Sequence, residues 1–142
     1  GNAKNLEPEK MSLKGMRFLL ADDNDLNAEI LEELLKMEGA DCDRAVNGKE
    51  AVEMFASAKE GRYNIILMDI KMPVMNGYDA TKEIRKLKKK EAAEIPIFAM
   101  TANAFAEDIR TSMEVGMDAH IAKPVDLELL EETIQSYMQA KA

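Results

Sequence analysis

The stretch IILMDIKMPVMNG, residues 65–77, decides how this chain folds. Ile65 to Met68 are all apolar, without the alternation of a half-exposed strand, which fits a central parallel strand covered on both faces. Asp69 follows at once, where the strand must leave the sheet, and Pro73 and Gly77 punctuate the turn into a helix. In that helix Ala80, Ile84 and Leu87 recur at helical spacing. Strand, loop and helix make one β-α unit, and the same rhythm continues in both directions.

Upstream, the run Met16 to Ala21 precedes a helix whose apolar stripe is Leu26, Ile30, Leu31, Leu34 and Leu35, stopped by Gly39. A weaker strand, Cys42 to Val46, precedes a helix opened by Asn47 with Ala51, Val52 and Phe55 on one face, and a loop through Gly61 ends the unit. Downstream, Ile95 to Met100 leads to a helix with Ile109 and Met113, ended by Gly116. Ala119 to Ala122 then leads through Pro124 to a last helix, N-capped by Asp126, with Leu127, Leu130, Ile134 and Tyr137 or Met138 turned inward. Five such units predict an α/β fold: a doubly wound, five-stranded parallel sheet with five helices on its two faces. The chain is too short for a closed eight-fold barrel.

Composition bounds the function. The 142 residues, 46% of them hydrophobic, suit one domain. Twenty-seven acidic against 19 basic residues give a net charge of −8, which argues against direct binding to nucleic acid or an anionic membrane. The single cysteine, Cys42, cannot close an internal disulfide and reads as a small core residue. No apolar run reaches the roughly 18 residues of a membrane span, so a cytoplasmic location is expected. The leader, residues 1–15, is polar and aperiodic and reads as a linker whose Gly-Asn-Ala start is a tag remnant; folding is expected over 16–139, with 140–142 a tail.

In an open parallel sheet, ligands bind outside the carboxyl ends of the strands, so the residues after each apolar run matter most. Here they are Asp22 and Asp23, Asp69, Thr101 and Lys123. Any one acid in such a place is ordinarily a cap or turn residue; agreement across four strand ends points to chemistry. Close carboxylates repel unless a cation sits among them, and an all-oxygen set without histidine or cysteine favours Mg²⁺, or Mn²⁺, over zinc. Asp23 and Asp69 are the natural direct ligands. An ammonium and a hydroxyl beside a metal make sense if an anion lies between them, and a phosphoryl group is such an anion. Asp69, on the central strand between the acid pair and the Thr101/Lys123 side, is the nucleophile candidate for an aspartyl-phosphate.

Taken together, LLADDN, ILMDIKMPVMNG, MTANAF and AKP resemble the receiver domains of two-component response regulators, over about residues 16–139. The resemblance implies a flavodoxin-like sheet of order 2-1-3-4-5. It implies Asp69 as phospho-acceptor from a phospho-histidine domain of a histidine kinase or phosphotransfer protein, with self-phosphotransfer and autodephosphorylation chemistry. Asp23 then resembles a direct Mg²⁺ ligand, Asp22 the holder of a metal-bound water, and the Lys71 carbonyl a backbone ligand. Thr101 resembles the switch hydroxyl and Lys123 the phosphate-binding lysine, with a cis Lys123-Pro124 bond. Phosphorylation would switch the face built from the fourth helix and fifth strand.

One departure stands out: the family's switch aromatic, three residues before the lysine, is His120 here. It reads either as a partly exposed switch residue or as a surface imidazole. The Asp23-Asn24 and Asn27 pattern, with MTANAF, is similar to receivers attached to hybrid sensor histidine kinases, a stand-alone regulator being the alternative. A phosphatase working through an aspartyl-phosphate would need a second aspartate at position 71, where Lys71 stands, and a flavin or nucleotide binder would not place DDND after its first strand. Lys86, Lys88, Lys89 and Lys90 read as cations closing the third helix. Met68 and Met100 read as core, and Met72 and Met75 as packing beside the acceptor loop.

Overall fold

The computed structural model describes residues 11–102 and 106–142, the side chains of 106–108 excepted. Along the chain the elements are β1 (Arg17–Ala21), α1 (Asp25–Met37), β2 (Asp41–Ala45), α2 (Gly48–Ser57), β3 (Ile65–Asp69), α3 (Gly77–Lys86), β4 (Ile97–Thr101), α4 (Ala106–Val115), β5 (Ala119–Ala122) and α5 (Leu127–Lys141). The strands pair in parallel in the order β2-β1-β3-β4-β5, as expected. β3 sits at the centre and every one of its residues is buried.

Alternation along the strands divides the core in two. Leu19, Ile66, Met68, Ile97 and Ala99 face one side, where Phe55 of α2 and Ala80 and Ile84 of α3 cover them. Phe18, Leu20, Leu67, Phe98 and Met100 face the other, against Leu31 and Leu35 of α1 and Leu130 and Ile134 of α5. Met68 and Met100 are core residues, and Met72, Met75 and Cys42 are half-buried against it. Side chains cap the starts of four helices: Asn24 on α1, Asn47 on α2, Asn76 on α3 and Asp126 on α5 each accept a backbone N–H.

Several sequence expectations are corrected. In α1 the face turned to the sheet is Ala28, Leu31 and Leu35; Leu26 is 64% exposed and Ile30 51%. The five apolar residues cover about half the circumference of the helix, and only the Leu31/Leu35 side of that arc meets the flat sheet. Leu13, placed in the leader, is buried in the core on the α1/α5 side. β4 starts two residues late, at Ile97, because Pro96 has no N–H to donate; its carbonyl still accepts the Ile66 amide at 2.9 Å. β2 runs one residue earlier than expected, Asp41 pairing with Arg17 and Ala45 with Ala21. Ile109 and Met113 of α4 are exposed, whereas Ser112 between them is buried.

The lysine cluster divides. α3 ends at Lys86, so Lys88 to Lys90 lie beyond it. The Lys89 ammonium reaches across to α2, donating to the carbonyls of Phe55 at 2.6 Å and Ala58 at 2.7 Å, where it satisfies the orphan acceptors of that helix end.

Candidate functional site

The carboxyl ends of β1, β3 and β4 and the segment after β5 meet at one edge because all strands run the same way. Asp69 is the last residue of β3 and is 4% exposed; Asp22 follows β1 and is 2% exposed. Thr101 ends β4 and is buried, and its carbonyl accepts the Lys123 amide at 2.9 Å. The peptide between Lys123 and Pro124 is cis, as the resemblance implied.

These side chains converge. The Lys123 ammonium donates to Asp69 Oδ2 at 2.8 Å and lies 4.0 Å from Asp22 Oδ2. Asp22, Asp23 and Asp69 each offer a carboxylate oxygen, and the three oxygens lie within 4.8 Å of one another. A cavity of about 420 Å³ opens on two of them, lined by Asp23, Asn24, Asp69, Thr101 and Lys123 among others. Burial pushes the Asp69 carboxyl above its ordinary range; the Lys123 ammonium pulls it down, the Asp22 charge raises it, and the Lys71 amide lowers it. Burial prevails. An acid-rich pocket of this kind, with one ammonium beside it, suits a hard cation together with an anion.

The loop after β3 is shaped around Asp69. The Gly77 amide donates to the Ile70 carbonyl at 2.9 Å, and a Cβ there would run into the Asp69 carbonyl oxygen. Val74, at the tip, has φ 70, a left-handed conformation that a β-branched residue rarely adopts. Gly48, at the start of α2, donates to the Met75 carbonyl at 3.0 Å, and a Cβ there would meet that oxygen and lie 2.9 Å from the Asn76 carbonyl. Two glycines thus let backbone pack on backbone, Gly77 against Asp69 and Ile70 and Gly48 against Met75 and Asn76.

All the singled-out strand-end residues come together except that His120, half-buried on β5, sits level with Ala99, two residues before Thr101 on its partner strand. Asn103 to Phe105 of the MTANAF motif lie outside the described residues. One residue escaped sequence reading. The Arg44 guanidinium, on β2, donates from Nε and Nη2 to the Asp22 carbonyl at 3.0 and 2.7 Å and from Nη1 to Asp25 Oδ1 at 2.7 Å. A charged residue in a short, weak strand carries no local signal of such a partner.

No helix among the described residues is long and apolar enough to cross a membrane. Hybrid signal transduction histidine kinase I of Dictyostelium discoideum is 37% identical over 122 residues, which cover 84% of this chain and 7% of the kinase. Hybrid signal transduction histidine kinase B of the same organism is 41% identical over 118 residues, 77% of this chain and 6% of that protein. The chain therefore spans less than a tenth of the length of either relative. Among solved structures, the receiver domain of sensor histidine kinase PA1611 from Pseudomonas aeruginosa, with a magnesium ion in its active-site cleft, matches with a TM-score of 0.76 and 34% identity, over 88% of this chain and 98% of that one. The receiver domain of Ssk1 from Saccharomyces cerevisiae, solved with the phosphotransfer protein Ypd1, is also similar: the matched chain of that complex gives a TM-score of 0.77 at 32% identity, over 90% and 91%. Residues 18–135 match the family described as response regulator receiver domain, and this chain belongs to it.

Proposed function

We propose that the chain takes a phosphoryl group onto Asp69 from a phospho-histidine, with Mg²⁺ or Mn²⁺ as the required cation. The observation that carries this reading is the Lys123–Asp69 contact at 2.8 Å at the end of the central strand, in a cavity that Asp23 also lines and with Asp22 in the same acid cluster. One ammonium facing three carboxylates leaves a surplus of negative charge that an oxygen-seeking divalent cation matches. Asp23 and Asp69 would hold it directly, Asp22 through a bound water, and the Lys71 carbonyl would complete the protein ligands. Such a cation supplies neutralisation of phosphoryl oxygens.

The chain's own residues do the remainder. An Asp69 carboxylate oxygen attacks phosphorus, the new O–P bond forms as the P–N bond breaks, and the electron pair leaves on the donor imidazole. Lys123 then turns from Asp69 to the phosphoryl oxygens, and the Thr101 hydroxyl donates to them. Because Thr101 and Lys123 are joined backbone to backbone, their movement is passed to β5 and α4, with His120, level with Ala99 further down β5, as the switch residue.

The likeness to a receiver solved with a phosphotransfer protein supports a histidine-phosphotransfer or kinase donor, and the likeness to a receiver holding magnesium supports the cation. The similarity to hybrid histidine kinases supports an origin within such a kinase and a cytoplasmic location. Incubation with a small phospho-donor and Mg²⁺ is expected to add one phosphoryl group to the parent chain and none to Asp69→Asn, read by intact mass. Equal labelling of the two refutes the assignment.

A further inference from the structure

Asp23 differs from the other two acids of the cluster: it is exposed, and among the described contacts no hydrogen bond holds its carboxylate. Its direction therefore depends on the backbone from Asp22 to Asp25. On its α1 side the segment is held by Asn24, whose Oδ1 accepts the Asn27 amide at 2.9 Å and whose carbonyl accepts the Ala28 amide at 3.0 Å. The Asp22 amide reaches the Ala45 carbonyl only at 3.2 Å, and Asp22 Oδ1 accepts the Asn24 amide at 2.9 Å from within the loop itself.

Among the described contacts, the side chain that ties this segment to β2 is Arg44. Two guanidinium nitrogens grip the Asp22 carbonyl at 3.0 and 2.7 Å, and the third grips Asp25 Oδ1 at 2.7 Å. One rigid plane thus spans the loop from its first residue to the first residue of α1, with Asp23 and Asn24 between the two grips. The side chain is only 19% exposed, so it cannot wander from this position at little cost.

We propose that Arg44 is a positioning residue for the cation site: it fixes the Asp22–Asp25 loop so that the Asp23 carboxylate is held ready beside Asp69. This rests on the divalent-cation reading above. The sign of the effect separates it from simple electrostatics. A cation near a metal site opposes metal binding by Coulomb repulsion, so if charge were all that mattered, removing it would tighten binding. If the planar fork matters, both Arg44→Gln and Arg44→Lys must weaken binding, because an ammonium cannot reproduce three donors in a plane.

The test is calorimetric titration of MgCl₂ into the full chain and its variants at constant ionic strength, with amide NMR of Asp22 to Asp25. The expected result is roughly tenfold weaker Mg²⁺ binding in both Arg44→Lys and Arg44→Gln, the range found when the groups that orient metal ligands are removed, with broadened loop amides. Arg44→Lys keeps the charge and most of the aliphatic stem, so it serves if the glutamine variant fails to fold. Asp25→Asn, which leaves both bonds to the Asp22 carbonyl in place, is expected to weaken binding less than either. Parent-like affinity in Arg44→Lys, or tighter binding in Arg44→Gln, overturns the proposal. Absence of Mg²⁺ binding by the parent chain overturns the cation reading instead, so the two failures are distinct.

Discussion

Replacing Gly77 by alanine would drive a methyl group into the backbone that carries Asp69. The added Cβ meets the Asp69 carbonyl oxygen and lies 3.0 Å from both the Asp69 carbonyl carbon and the Ile70 Cα, whereas relaxed carbon contacts are about 3.5–4.0 Å. None of these atoms belongs to a side chain that could rotate aside. The loop must retreat by roughly 0.5–1 Å, which costs about 1–3 kcal/mol of overpacking. The same retreat weakens the 2.9 Å bond from the Gly77 amide to the Ile70 carbonyl, worth about 1 kcal/mol. Better helix propensity at the first position of α3 offsets less than about 1 kcal/mol. The net loss is about 3 kcal/mol, a fall in melting temperature of about 10 °C for a chain of this size. Thermal melts without Mg²⁺ measure it, with Gly61→Ala as control. Gly61 has φ +78 but open space around its Cβ position, so that variant loses only about 1 kcal/mol. Gly77→Ala melting within about 3 °C of the parent, or no lower than Gly61→Ala, would refute the close-packed account of the loop after β3.

Lys89→Met keeps the stem but removes both bonds to the end of α2, and should cost about 2 kcal/mol, whereas Lys86→Met, 75% exposed, should change stability by less than about 0.5 kcal/mol; urea unfolding of the pair checks it. Leu35→Ala should cost about 3 kcal/mol, and Leu26→Ala less than about 1 kcal/mol, by the same measurement, because only the first faces the sheet. Burial, with Glu32 and Asp43 nearby, pushes the Cys42 thiol up from 9.0 to about 12. Burial and then Asp43 push the Tyr63 phenol up from 10.0 to about 12. The folded chain therefore holds more protons than the unfolded one between pH 9 and 12, so stability should fall as pH rises through that window. Urea midpoints from about pH 8 upward should decline less steeply in Cys42→Ala, and an unchanged slope would contradict the thiol's part.

Much of the site was legible because a parallel sheet converts sequence into position. Strand ends land on the same edge, so Asp22, Asp23, Asp69, Thr101 and Lys123 could be brought together across the fold from the ends of four apolar runs. The caps at Asn47 and Asp126 were equally local, since a helix start needs only a side-chain oxygen beside its first amides. The strand boundaries were less so: Pro96 looked like part of an apolar run, and its missing donor moved the start of β4.

By itself, the sequence determined the alternation of strands and helices, the two-faced core of branched and aromatic residues, and the strand-end chemistry, because all three follow from spacing along one chain. Tertiary structure alone decided which line of α1 meets the sheet, leaving Leu26 and Ile30 outside while Ala28, Leu31 and Leu35 pack within. It alone decided that Lys89 serves α2 rather than α3, and that Arg44 clamps the loop twenty-two residues before it. Those partners are set by strand register and helix docking, and a long flexible cation reveals neither in its own neighbourhood of sequence.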